Sequence, residues 1–353
     1  MNNNIKILSE EKGLRLSTLS LPPNNEILID EHGKESVMVR IPLLTYKAVG
    51  LGSSEDPLPA FVVNGHTVPY IYISKYLNFL EDDIPCSRPG VMPETSMTLE
   101  RALEVCSKKG SGWHLMSNSE WAAIALWCKA NGYLPNGNTA NGYSSGASHL
   151  TGVKDQVWVP VLNRYLQVTR PGSGPPEWYH DKTYAGIADL VGNLPEFVSG
   201  IRIRDDKIQV IPQNNSAMGV DESESSEEWC NIRTDGYYVN AASSGQFITI
   251  DTRSTGTGGL PSGGMFGEMS VSYSPVPMIL KALALIPDGS SEAYARTSYG
   301  YNIRNDAILR GGNSTEGILS GIFSIHGMDL SDPMMIEPMG FRCAYVPPEL
   351  YED

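Results

Sequence analysis

The sequence predicts an α+β protein with two helices, short antiparallel sheets and much irregular loop, preceded by a small β-rich N-terminal segment. The 35 glycines and 24 prolines interrupt the chain too often for long helices. Only two stretches combine helical periodicity with capping residues, and the other apolar runs are short, β-prone and bounded by turn residues. With 353 residues, 41% of them apolar and 19% charged, the chain can bury one large core or two modest ones and is too apolar for general disorder.

Residues 1–60 are expected as a distinct attachment or oligomerisation segment. Residues 26–30 and 36–41 are β-prone, parted by Gly33, and residues 50–59 are Gly/Ser/Pro-rich and acidic like a linker. So small a piece must pack on the main domain or on another subunit. The main domain, residues 61–353, opens with strands at 61–63 and 70–74 around an Asn64-Gly65 turn.

Two helices follow. In the first, Leu99, Ala102, Leu103 and Cys106 share one face, Thr98 is the N-cap and Gly110 the stop. The second starts at a capping box, Ser117 with Glu120, and buries Trp121, Ile124, Ala125 and Cys128 before Asn131-Gly132. Residues 135–148 are then dominated by Gly, Asn and Ser, and residues 157–168 read as strands. Residues 201–265 look like an insertion, with a strand pair at 208–211 and 246–250 around the acidic run 221–228. That run lacks the spaced order of a calcium loop and reads as solvated. Residues 278–286, between Pro277 and Pro287, read as a short buried helix.

A formal charge of −14 argues against nucleic acid or an anionic membrane surface as partner. The first residues lack the apolar core of a signal peptide, so synthesis in the cytoplasm without export by the usual route is expected. No run approaches the roughly 20 apolar residues of a membrane span. Five cysteines without close pairing argue against a disulfide framework or structural zinc, and Cys106 and Cys128 read as small buried hydrophobes.

Four separated motifs define the rest. They are Gly112, Leu115, Ser117, Glu120 and Trp121; Asp189-Leu190-Val191-Gly192-Asn193-Leu194-Pro195-Glu196-Phe197; Arg310-Gly311-Gly312; and Gly340-Phe341-Arg342. Gly311-Gly312 permits a sharp turn, and Gly192-Asn193 is a turn in which Asn193 can bond its own backbone. Arg310 and Arg342 are candidates for buried charge-assisted hydrogen bonds to carbonyls or to Glu196, and Trp121 and Phe197 for core.

In order and spacing, over residues 61–346, this set resembles the C-type-lectin folds shared by formylglycine-generating enzymes and the variable proteins of diversity-generating retroelements. The middle and C-terminal parts look most like the phage and prophage variable proteins. The resemblance implies a C-type-lectin fold. Its oxidase members hold copper with cysteines between the Arg-Gly-Gly and Gly-Phe-Arg motifs, yet residues 313–339 contain no cysteine and Cys343 lies beyond. Its iron-dependent members use a histidine cluster, and residues 118–131 contain no histidine. No catalytic residue, metal or cofactor is therefore expected.

Residues 321–325 look like a strand inside this interval, and apolar residues follow no period around it. In the retroelement proteins the window at about residues 305–345 is diversified at adenine-containing codons on a fixed fold. Carried over, the display residues are Ser314, Thr315, Ile318, Leu319, His326, Asp329, Ser331 and Ile336. The expected partner is a bacterial surface protein or another macromolecule. The resemblance also implies a phage-tail or prophage particle setting, attachment through the N-terminal segment, and a trimer. Two alternatives stand beside this reading: an oxidase relative with an altered metal site, and a structural virion component without diversification.

Overall fold

The computed structural model describes residues 21–159, 163–251, 259–289, 294, 297–301, 305–329 and 338–352. Its elements used below are β1 (Asn25–Ile29), β2 (Glu35–Pro42), β3 (Tyr70–Ser74), α1 (Leu99–Ser107), β4 (Trp113–Leu115) and α2 (Asn118–Ala130). A hairpin follows, β5 (Lys154–Val159) with β6 (Arg164–Thr169), then β7 (Glu196–Arg204), β8 (Lys207–Val210), β9 (Cys230–Ile232) and β10 (Tyr238–Asn240). The last are β11 (Gly263–Met265), α3 (Met278–Ala282), β12 (Ser298–Gly300), β13 (Asn305–Arg310), β14 (Ile325–Asp329), β15 (Gly340–Phe341) and β16 (Cys343–Tyr345). The class is mixed α+β, with three α-helices among the described residues and many short, mostly antiparallel sheets.

The capping chemistry read from the sequence forms both long helices. Thr98 accepts from the Arg101 N–H, and Ser117 and Glu120 close a reciprocal box that satisfies two otherwise unpaired donors. Helix α2 is buried on more than one face, including Trp121, Ile124, Ala125 and Cys128, because sheet, 3-10 turn and α3 all pack around it. In α1, Ala102 and Cys106 are buried while Leu99 and Leu103 are half-buried.

Two sheets organise the molecule. In the first, the order is β1-β2-β3-β16-β4, so the last strand lies between elements from the first third of the chain. Residues 25–42 are thus part of the main sheet, with Met38 opposite Ser74 and Ile41 opposite Ile71. Val39 and Ile41 share one apolar cluster with Phe61. Lys109, fully buried at the end of α1, seals the join by donating to Asp30 at 2.6 Å and to the Pro85 carbonyl at 2.7 Å.

The second sheet runs β10-β9-β8-β7-β13-β14-β12-β11, and β15 pairs with β7 in parallel. Residues 201–210 therefore extend the central sheet. Residues 208–211 were expected to pair with 246–250; β8 instead lies between β7 and β9, and touches the later segment through the Lys207–Thr249 bridge. The Asn64-Gly65 turn has both residues at positive φ, 51° and 77°, and joins Val62–Val63 to His66–Thr67. Its expected partner strand, Tyr70–Ser74, sits in the first sheet.

Candidate functional site

The segment from Arg310 onward starts on a rigid base. The Arg310 guanidinium is buried, with Nε and Nη2 donating to Asn118 Oδ1 at 3.0 and 2.6 Å and further bonds to the Leu283 and Ala284 carbonyls. It therefore ties β13 to the first turn of α2 and to the end of α3. Burial lowers its pKa to about 10, which leaves the cation intact at neutral pH. Arg342 makes a bidentate fork to Glu196 at 2.7 and 3.0 Å. Its remaining donors reach the Ser74, Lys75 and Ala188 carbonyls at 2.7–3.2 Å. One side chain thus joins β7, β3 and the turn at residue 188.

Gly311 and Gly312 follow at φ 89° and 72°, where L side chains are strained. A Cβ on Gly311 would stand 2.9 Å from the Leu190 carbonyl oxygen, beside the Trp121 ring. Asn193, at φ 61°, does not bond its own backbone. Its side chain accepts from the Thr169 N–H at 2.8 Å and donates to the Thr169 carbonyl at 3.0 Å. The same oxygen accepts from Asn138 Nδ2 at 3.0 Å.

Beyond this base lies a cavity of about 440 Å³. One wall is the loop carrying Gly317, Ile318 and Ser320 through Phe323; the other is the loop after α2, with Leu134 to Gly137, Thr139, Ser144 and Ser145. Trp121 Nε1 donates to the Ile322 carbonyl at 2.8 Å, and Phe323 packs edge-on to Tyr294 with ring centroids 4.7 Å apart. These contacts fix the floor. Ser320 holds the loop's base, accepting from the Asn313 N–H and bonding the Glu316 carboxylate at 3.1 Å. Among the described residues lining the cavity none carries a formal charge. Its described lining is apolar at Leu134, Val191 and Phe323 and hydrogen-bonding at Asn136, Thr139 and Ser144.

The expected display residues divide. Ile318 is 47% exposed and lines the cavity. Thr315 is exposed, with its N–H and hydroxyl both donating to Asn313 Oδ1 at 2.8 Å. Leu319 is half-buried at the same loop. Ser314 is a correction: it is 2% exposed, and its carbonyl accepts from the Asn141 N–H at 2.7 Å, so it packs one wall against the other. His326 and Asp329 are half-buried on β14, with His326 Nε2 3.2 Å from Ser298 Oγ. Burial lowers the His326 pKa, opposed by Glu316 and reinforced by Arg310. Ser331 and Ile336 lie outside the described residues. The strand expected at 321–325 begins only at Ile325; Ile322 and Phe323 are buried in the turn before it.

The wall at residues 134–145 was not singled out from sequence. A Cβ on Gly137 would stand 1.7 Å from the Val191 carbonyl oxygen, so only glycine allows this loop to lie against the Gly192-Asn193 turn. That approach spans some fifty residues of sequence, and no local pattern encodes it. Among the described residues no group of three His, Cys, Asp or Glu is arranged to hold a metal ion, and no helix is long and apolar enough to cross a membrane. No protein-family model matches the sequence, and no curated protein shows significant similarity to it.

Proposed function

We propose that this chain is a ligand-binding protein of C-type-lectin type, acting as a receptor-binding component of a phage or prophage tail whose C-terminal loops are diversified by a retroelement. The observation that carries the reading is the cavity of about 440 Å³, with no charged group among its described lining residues, which Ile318 lines from within the window that the sequence resemblance marks as variable. An exposed isoleucine on a loop held by buried arginines fits recognition better than an inert surface. Binding at one such patch is modest, and repeated copies on a particle would raise it through avidity. In this reading the N-terminal segment and neighbouring copies of the chain supply assembly, with a trimer as the expected state.

Diversification is tested at the encoding locus. The expected finding is an adjacent reverse transcriptase together with a near-copy of the stretch encoding residues 305–345, differing only at adenines. Absence of both removes the retroelement from the reading. Metal analysis of the purified protein tests the binder against an oxidase relative: stoichiometric copper or iron would contradict the proposal.

A further inference from the structure

Cys106, on the last turn of α1, and Cys343, on β16, are separated by 237 positions in the chain, and their sulfur atoms lie 2.7 Å apart. Both residues are completely buried. They sit in one apolar cluster with Ala102, Trp113, Phe197 and Phe341. Non-bonded sulfurs do not pack this closely, and a disulfide needs only a small further approach, to about 2.05 Å. The backbone on both sides is fixed. The strand is held by the Leu115 pairing and by the Cys343 N–H donating to Asn78 Oδ1 at 3.0 Å, and the helix end by the buried Lys109–Asp30 pair. The other three cysteines are differently placed: Cys86 Sγ is buried 3.7 Å from the Ile84 carbonyl, Cys128 Sγ donates to the His180 carbonyl at 3.2 Å, and Cys230 is partly exposed.

We propose that Cys106 and Cys343 are a redox site, a dithiol that closes to a disulfide and locks α1 onto the interior strand β16. This does not rest on the function proposed above. The oxidant is a small-molecule disulfide. One protein thiolate attacks it, forming a mixed disulfide and releasing one thiolate. The second protein thiolate then attacks the protein sulfur and expels the other small thiolate. Two protein thiols lose two electrons and two protons, and the small disulfide is reduced to two thiols. Burial raises the Cys106 pKa, so attack in the docked state is slow. Exchange requires α1, a nine-residue helix, to lift from the sheet, or it takes place before α1 docks during folding. The closed bond would enclose residues 107–342, which include every described residue lining the candidate cavity.

The test uses the full chain carrying Cys230→Ser, which removes the partly exposed thiol and leaves four cysteines. The protein is equilibrated with glutathione disulfide, quenched in acid, denatured, alkylated with iodoacetamide and weighed intact. The expected product carries two alkyl groups where the reduced protein carries four. Tryptic digestion of it is expected to yield the Ala102–Lys108 peptide joined to the peptide beginning at Cys343. Adding Cys343→Ser should abolish that link. If this variant does not fold, the linked peptide from the parent decides alone. Four alkyl groups at every glutathione ratio, or a bond between any other pair, would overturn the proposal.

Discussion

Two parts of the same C-terminal segment obey opposite physical rules. Arg310 and Arg342 are at most 1% exposed, and each serves several acceptors contributed by elements far apart in sequence. Ile318, within ten residues of Arg310, is 47% exposed at the mouth of the cavity. The difference separates a buried frame from an exposed loop side chain. Interactions that hold the fold together are concentrated in a few buried polar groups, and the loop after Arg310 is held at its base by Ser320 and Asn313. Ser314 belongs with the frame, since its carbonyl secures Asn141.

The comparison predicts its largest effect at Arg342. Replacing it with methionine leaves Glu196 buried without its cation, a loss of about 3–5 kcal/mol. Urea unfolding should show either that loss or no folded protein. Arg310→Leu removes the donors to Asn118 and to two α3-end carbonyls, and should cost about 2–3 kcal/mol. A loss below about 0.5 kcal/mol at either position, within the range of ordinary surface substitutions, would erase the distinction between frame and loop.

These arginines were legible because a buried cation in a glycine-flanked motif demands acceptors, and Glu196 was available in another motif. The helices were legible because their caps are local. The cavity's second wall was not, because its course depends on a glycine touching a carbonyl more than fifty residues away. Nor was the merging of residues 25–42 with the main sheet, since strand pairing leaves little local trace when turn residues intervene.

The frame should also respond to acid. His180 Nδ1 accepts from the Ile187 N–H at 2.8 Å, which fixes the neutral ring, and burial lowers its pKa to about 4. The unfolded state binds a proton from about pH 6.5 downward, so this group removes stability as the pH falls from 6.5 to about 4. Asp189 acts oppositely. Burial raises its pKa from 3.8 to about 6, so its native carboxyl takes up a proton first and adds stability as the pH falls through that window. Asp189→Asn should therefore be more stable than the parent near pH 7 and lose that advantage by pH 4. Urea midpoints at the two pH values check this; an unchanged difference would show that Asp189 does not titrate in this range.

The smallest effect is expected in the loop, and it bears most directly on the central claim. Thr315, Ile318 and Leu319 replaced together by alanine should leave the thermal midpoint within about 3 °C of the parent, because exposed and half-exposed side chains away from buried networks contribute little. Calorimetry of the triple variant beside the parent makes the measurement. A midpoint lowered by more than about 8 °C would place these residues in the core and contradict their proposed role as a display surface on a fixed frame.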